Sequence, residues 1–114
     1  MQEKHLTQQE IDTLVDEFRK AVDPVRIMIR EDVPEDARID HCGTEFCIVV
    51  SDDVNDFGLV GEKCYRAVWD CLFAGRIGSH GIAPLVQPES AFSEEYPNSL
   101  VRAFLAEGRT VYEK

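Results

Sequence analysis

The sequence predicts a small α+β domain, a mixed β-sheet of three to four strands with helices packed on it. Two short runs rich in β-branched residues, Val25 to Ile29 and Phe46 to Ser51, have the length and composition of buried strands. Two longer segments, one starting at Gln8 and one from Phe57 to Phe73, carry apolar residues every three or four positions, the period of a helix with one buried stripe. With 114 residues, 44% of them hydrophobic, the chain has apolar material for one modest core and reads as one domain, residues 1–114.

In order along the chain, Thr7 and Glu10 form a capping box that starts a helix at Gln8, each side chain satisfying an orphan amide. Ile11, Leu14, Val15, Phe18 and Val22 make its apolar stripe, and it ends before Asp23-Pro24. The strands Val25 to Ile29 and Phe46 to Ser51 follow, joined by an acidic connector, Arg30 to Asp40. Ser51 to Asp56 is a turn, and the long helix Phe57 to Phe73 covers the sheet, closed by Gly75 as a left-handed cap. Its aromatic residues Tyr65 and Trp69 could line a groove, but core filling is the commoner role on such a helix and is the expectation.

A third strand, Ile82 to Val86, contains Pro84, which lacks a backbone donor and so belongs at a sheet edge or a bulge. Gln87 to Ser90 opens a short helical turn. A last helix, Leu100 to Glu107, is capped from Pro97-Asn98-Ser99 and ended by Gly108, and Thr110 to Tyr112 returns as a short strand. The helices are expected to stack on one face of the sheet. No internal repeat interrupts this order.

Twelve basic against twenty-two acidic residues give a net charge of −10, with no basic cluster to meet a phosphate backbone, so direct nucleic-acid binding is not expected. A basic face on a protein partner would be attracted instead. No apolar run is long enough to cross a bilayer and the N-terminus lacks a signal-peptide pattern, so a cytoplasmic protein is expected. The cysteines Cys42, Cys47, Cys64 and Cys71 are then expected as reduced thiols.

The closing stretch Ser99 to Glu113 and the order of elements resemble the minimal nucleotidyltransferases of the polymerase-beta superfamily. Asp23-Pro24-Val25-Arg26-Ile27 is similar to their entry into the first strand, Asp36-Ala37-Arg38 to the tail of their phosphate loop, and Gln87-Pro88-Glu89 to their threonine-proline-glutamate turn. The resemblance implies a nucleotidyltransferase-like fold over nearly the whole chain. It also implies a helical HEPN-type protein partner, with this chain as the antitoxin half of the pair.

Active members of that family place a Gly-Ser turn after the first strand, then an Asp-x-Asp pair opening the second. Here the Gly-Ser positions hold Arg30 and Glu31, and the aspartate positions fall either at Thr44 and Phe46 or at Cys42 and Thr44. The third carboxylate has no counterpart in Gly81 to Leu85. Since this chemistry needs carboxylates that hold Mg²⁺ against a triphosphate, the expectation is a degenerate domain that binds a protein and catalyses nothing.

Other readings of the residues remain. An active Mg-dependent nucleotidyltransferase, transferring AMP from ATP or another nucleotide from its own triphosphate, would use Asp40, Glu45 and Asp52 as relocated carboxylates and Arg38 as a phosphate contact. A domain that binds nucleotide without turnover ranks below it. A zinc site would use His41, Cys42, Cys47 and His80, and a nucleophilic site would pair Cys42 with His41, though neither spacing is diagnostic. Edge strands near Pro84 or Thr110 could pair across a two-fold axis, a route to a homo-oligomer.

Overall fold

The computed structural model describes residues 6–31, 33, 36, 43–78 and 81–114. In chain order the elements are α1 (Gln8–Val22), β1 (Arg26–Arg30), β2 (Thr44–Val50), α2 (Phe57–Phe73), β3 (Ile82–Pro88), a short 3₁₀ helix (Glu89–Phe92), α3 (Ser99–Glu107) and β4 (Arg109–Glu113). The sheet order is β3-β2-β1-β4, with β1 antiparallel to both β2 and β4, and β2 parallel to β3. The protein is an α+β fold with a mixed four-stranded sheet.

Local chemistry accounts for the element ends. The Thr7 hydroxyl accepts from the Glu10 amide while the Glu10 carboxylate accepts from the Thr7 amide, completing the capping box of α1. The other oxygen of the same carboxylate accepts from the Gly78 amide at 2.8 Å, tying the start of α1 to the segment that follows α2. Asp23 closes α1 in the left-handed region at φ 49°, a conformation aspartate tolerates better than bulkier residues. Asp56 and Asn98 cap α2 and α3, each accepting from the amide three residues on.

Strand β2 begins at Thr44, two residues before the apolar run, because Thr44 and Glu45 pair with Ile82 and Ala83 of β3, and Glu45 also with Arg30 of β1. β3 is an edge strand, which accommodates Pro84 opposite Phe46. β4 forms the other edge, and a bulge interrupts its ladder with β1 between Ile27 and Met28.

Helices cover both faces of the sheet, not one. Leu14 and Phe18 of α1 and Cys64, Val68 and Cys71 of α2 pack on Ile27, Ile29, Phe46, Ile48 and Val50, with Phe18 edge-on to Phe46 at 5.4 Å between centroids. On the other face, Phe104 of α3 lies on Met28, Cys47 and Val49, with Leu85, Phe92 and Leu100 around it. All seven residues of β2 are buried, so both its faces need a cover, and α3 supplies the second. Each fully buried aliphatic side chain contributes about 1.5–3 kcal/mol, so the two cores together hold the layers in place.

Candidate functional site

The second face of the sheet carries Arg26, Arg30 and Glu45. Arg26, Met28 and Arg30 alternate with the core residues Ile27 and Ile29 along β1, and Glu45 stands opposite Arg30 on β2. Arg30 donates from Nη1 to Glu45 Oε1 at 2.7 Å, and from Nε and Nη2 to Glu107 Oε1 at 2.9 Å each. Glu107 ends α3, where a carboxylate meets the negative pole of the helix and no basic residue occupies the last turn. Arg30 provides the cation that this helix end lacks. Burial works against the charge of Arg30, yet the hydrogen bonds to Glu45 and Glu107 prevail and raise its pKa above the ordinary arginine value.

Glu45 is therefore committed to a buried pair and does not face an open site. Asp52 lies two residues beyond the far end of β2, and its carboxylate accepts from the Ser90 amide at 3.1 Å, anchoring the 3₁₀ helix. Glu45 and the end of β2 at Val50 are five residues of extended strand apart, roughly 16 Å, and Asp52 lies in the turn beyond, so the two acids stand at opposite ends of β2, each with its own partner. Among the described residues no group of three or more His, Cys, Asp or Glu side chains is arranged to hold a metal. Arg38, Asp40, His41, Cys42 and His80 lie outside the described residues, as do Asp32 and Glu35 of the acidic connector.

The thiols of Cys47 and Cys64 are buried, and desolvation pushes both up to about 12; Cys71 is raised as well, by the same cause. They serve as small core residues, inert as nucleophiles in the folded state.

Tyr65 and Trp69 do not fill the core as their helix position suggested. The buried stripe of α2 consists of Cys64, Ala67, Val68 and Cys71, small residues that seat the helix close to the sheet. Tyr65, Trp69 and Phe73, four residues apart, consequently share the outward face, at 40%, 53% and 83% exposure. The Trp69 and Phe73 rings stack at 5.5 Å with 24° between their planes, and Leu59 is also exposed on this helix.

A cleft of about 510 Å³ opens on the opposite side of the sheet, between β1, β4, α3 and the 3₁₀ helix. Compared with protein-family models, curated proteins and solved structures, the chain finds no match in any of the three.

Proposed function

We infer that this chain is a nucleotidyltransferase-like domain without phosphoryl-transfer activity, serving as a cytoplasmic protein-binding, antitoxin-like regulatory module. The family part of this reading rests on the resemblance of the sequence. The observation that carries protein binding is the outward aromatic stripe of α2. Stacked Trp69 and Phe73 in water, with Tyr65 beside them, are the residue types that dominate protein interfaces, and three at helical spacing make a face a partner can bury.

The partner is a protein with a basic surface around an apolar patch, because a chain of net charge −10 attracts such a surface and repels a second copy of itself. The resemblance adds that it is helical, of the HEPN kind. The engagement of Glu45 with Arg30 supports the non-catalytic half of the reading, since a carboxylate bonded to a buried guanidinium at 2.7 Å is not available to Mg²⁺.

Two experiments test this. Purified protein with Mg²⁺ or Mn²⁺ and each nucleoside triphosphate should release no pyrophosphate and gain no nucleotidyl mass, alone or with a HEPN-type partner; turnover lost in Asp52→Asn, a change at an exposed residue, would overturn the non-catalytic reading. Titration with that partner should blue-shift the emission of Trp69, the sole tryptophan. A complex that forms with no change in Trp69 emission would remove the stripe from the interface.

A further inference from the structure

Arg26 and Arg30 stand at the two ends of β1 on the same face, and their guanidinium groups are matched very differently. Arg30 meets two carboxylates at hydrogen-bond distance. Arg26 has a buried Nε without a hydrogen-bond partner, and its Nη1 lies 3.8 Å from Glu113, beyond hydrogen-bonding reach of a carboxylate that is itself 66% exposed. Buried donors are seldom left unpaired in native proteins, so an arginine in this state calls for an acceptor. The guanidinium is held 5.0 Å over the Phe92 ring, which fixes the plane of its donors.

Arg26 lines the cleft of about 510 Å³, together with Met28, Phe92, Leu105, Thr110 and Glu89. That volume suits a small molecule, and the lining sets the polar side chains of Arg26, Glu89, Ser93 and Thr110 beside the apolar ones of Met28, Phe92 and Leu105, so it offers both a charged anchor and an apolar wall. The bulge between Ile27 and Met28 falls between two residues of the cleft-bearing strand, the kind of irregularity that re-aims side chains beside binding sites. A planar fork of donors matches a carboxylate in two-point contact. A dianion such as phosphate fits poorly, since the cleft offers one cation and the acids Glu89 and Glu113 stand near it.

We propose that this cleft binds a small monocarboxylate with an apolar body, its carboxylate on Arg26 in place of Glu113 and its body over Met28, Phe92 and Leu105. The site lies across the sheet from the α2 stripe and does not depend on the protein-partner reading.

The test is an NMR titration of the full chain with 3-phenylpropionate, with its neutral analogue 3-phenylpropanol, and with inorganic phosphate, following the Arg26 Nε–H resonance and the amides of Met28, Leu105 and Thr110. The expected result is saturable movement of these signals by the carboxylate, with the alcohol at least about tenfold weaker, the difference one charge-assisted pair makes. Arg26→Met should abolish that preference. Glu113→Gln, at an exposed position, should tighten binding by removing the internal competitor while leaving the fold and its spectrum intact. No binding in the millimolar range, equal affinity for the alcohol, phosphate binding as tightly, or an unchanged affinity in well-folded Glu113→Gln would each overturn the proposal.

Discussion

Arg30 and Glu45 face each other across β1 and β2 with 2.7 Å between Nη1 and Oε1, and their side chains are 5% and 0% exposed. Removing one member of such a pair strands a charge away from water, so Arg30→Ala or Glu45→Ala should cost about 3–5 kcal/mol of stability. Replacing both with apolar residues of similar volume removes the stranded charge. The double variant Arg30→Met, Glu45→Leu should therefore lose less than either single alanine variant, and Glu107, 62% exposed, can turn to water. Urea denaturation of the three variants checks this through midpoints at constant slope.

Most of this architecture was legible in the sequence because it is local. The capping box at Thr7 and Glu10, the helix Phe57–Phe73 and the left-handed Gly75 follow from side-chain spacing and backbone sterics alone. The Arg30–Glu45 pair was not, since it depends on register: Glu45 reads as a polar residue before an apolar run, and only pairing with β1 sets it opposite Arg30. One signal was available and misread. Continuous apolar runs at Ile27 to Ile29 and Phe46 to Val50 imply cover on both sheet faces, which places α3 opposite the other two helices. The buried stripe of α2 was legible as well, since Cys64, Ala67, Val68 and Cys71 recur at helical spacing; what was misread is that this stripe already completes the buried face and leaves Tyr65 and Trp69 outside it.

Helix α1 is clamped to the end of α2 by Glu17, whose Oε2 accepts from Arg76 at 3.0 Å and also faces Lys20 at 3.5 Å. The Arg76 hydrogen bond outweighs partial desolvation and holds the Glu17 carboxyl below its usual 4.5. A carboxyl with a lowered folded pKa binds protons more readily unfolded, so it stabilises the fold above about pH 4.5 and loses that contribution as pH falls through the folded pKa. Glu17→Gln should accordingly flatten the acid limb of the stability curve and leave its shape above pH 5 to 6 unchanged, roughly one unit clear of the ordinary carboxylate range. Thermal melts across that window, with a ¹³C titration of the Glu17 carboxyl, check both parts.

Two glycines end helices for different reasons, and alanine should separate them. Gly75 has φ +72° with open space around a Cβ, so Gly75→Ala meets only backbone strain, on the order of 1 kcal/mol. Gly108 has an ordinary φ of −89°, but a Cβ there would lie 2.8 Å from the Phe104 carbonyl oxygen and 3.0 Å from its ring, and 3.3 Å from the Ile29 carbonyl oxygen. Gly108→Ala has to move the end of α3 and the Phe104 ring out of the way, and to give a little against β1 at Ile29, an overpacking cost of about 1–3 kcal/mol. It should also loosen the cover over Met28 and Cys47, visible as lost amide exchange protection there, whereas Gly75→Ala should leave that face undisturbed.

The aromatic stripe and the net charge should act on different steps of partner binding. Trp69 and Phe73 are half to mostly exposed, so Trp69→Ala with Phe73→Ala should change stability by no more than about 0.5 kcal/mol per site in the free protein. In the proposed complex these rings are the anchors, and their loss should raise the dissociation rate and weaken affinity by about 2 kcal/mol or more, roughly thirtyfold. Charge works earlier: a chain of −10 approaching a basic partner is steered over distances that salt screens, so the association rate should fall with ionic strength in wild type and double variant alike. Stopped-flow kinetics over a salt series, with an extrinsic fluorophore on the partner since Trp69 is removed in the variant, measures both. A double variant that dissociates at the wild-type rate would place the contact elsewhere on the surface.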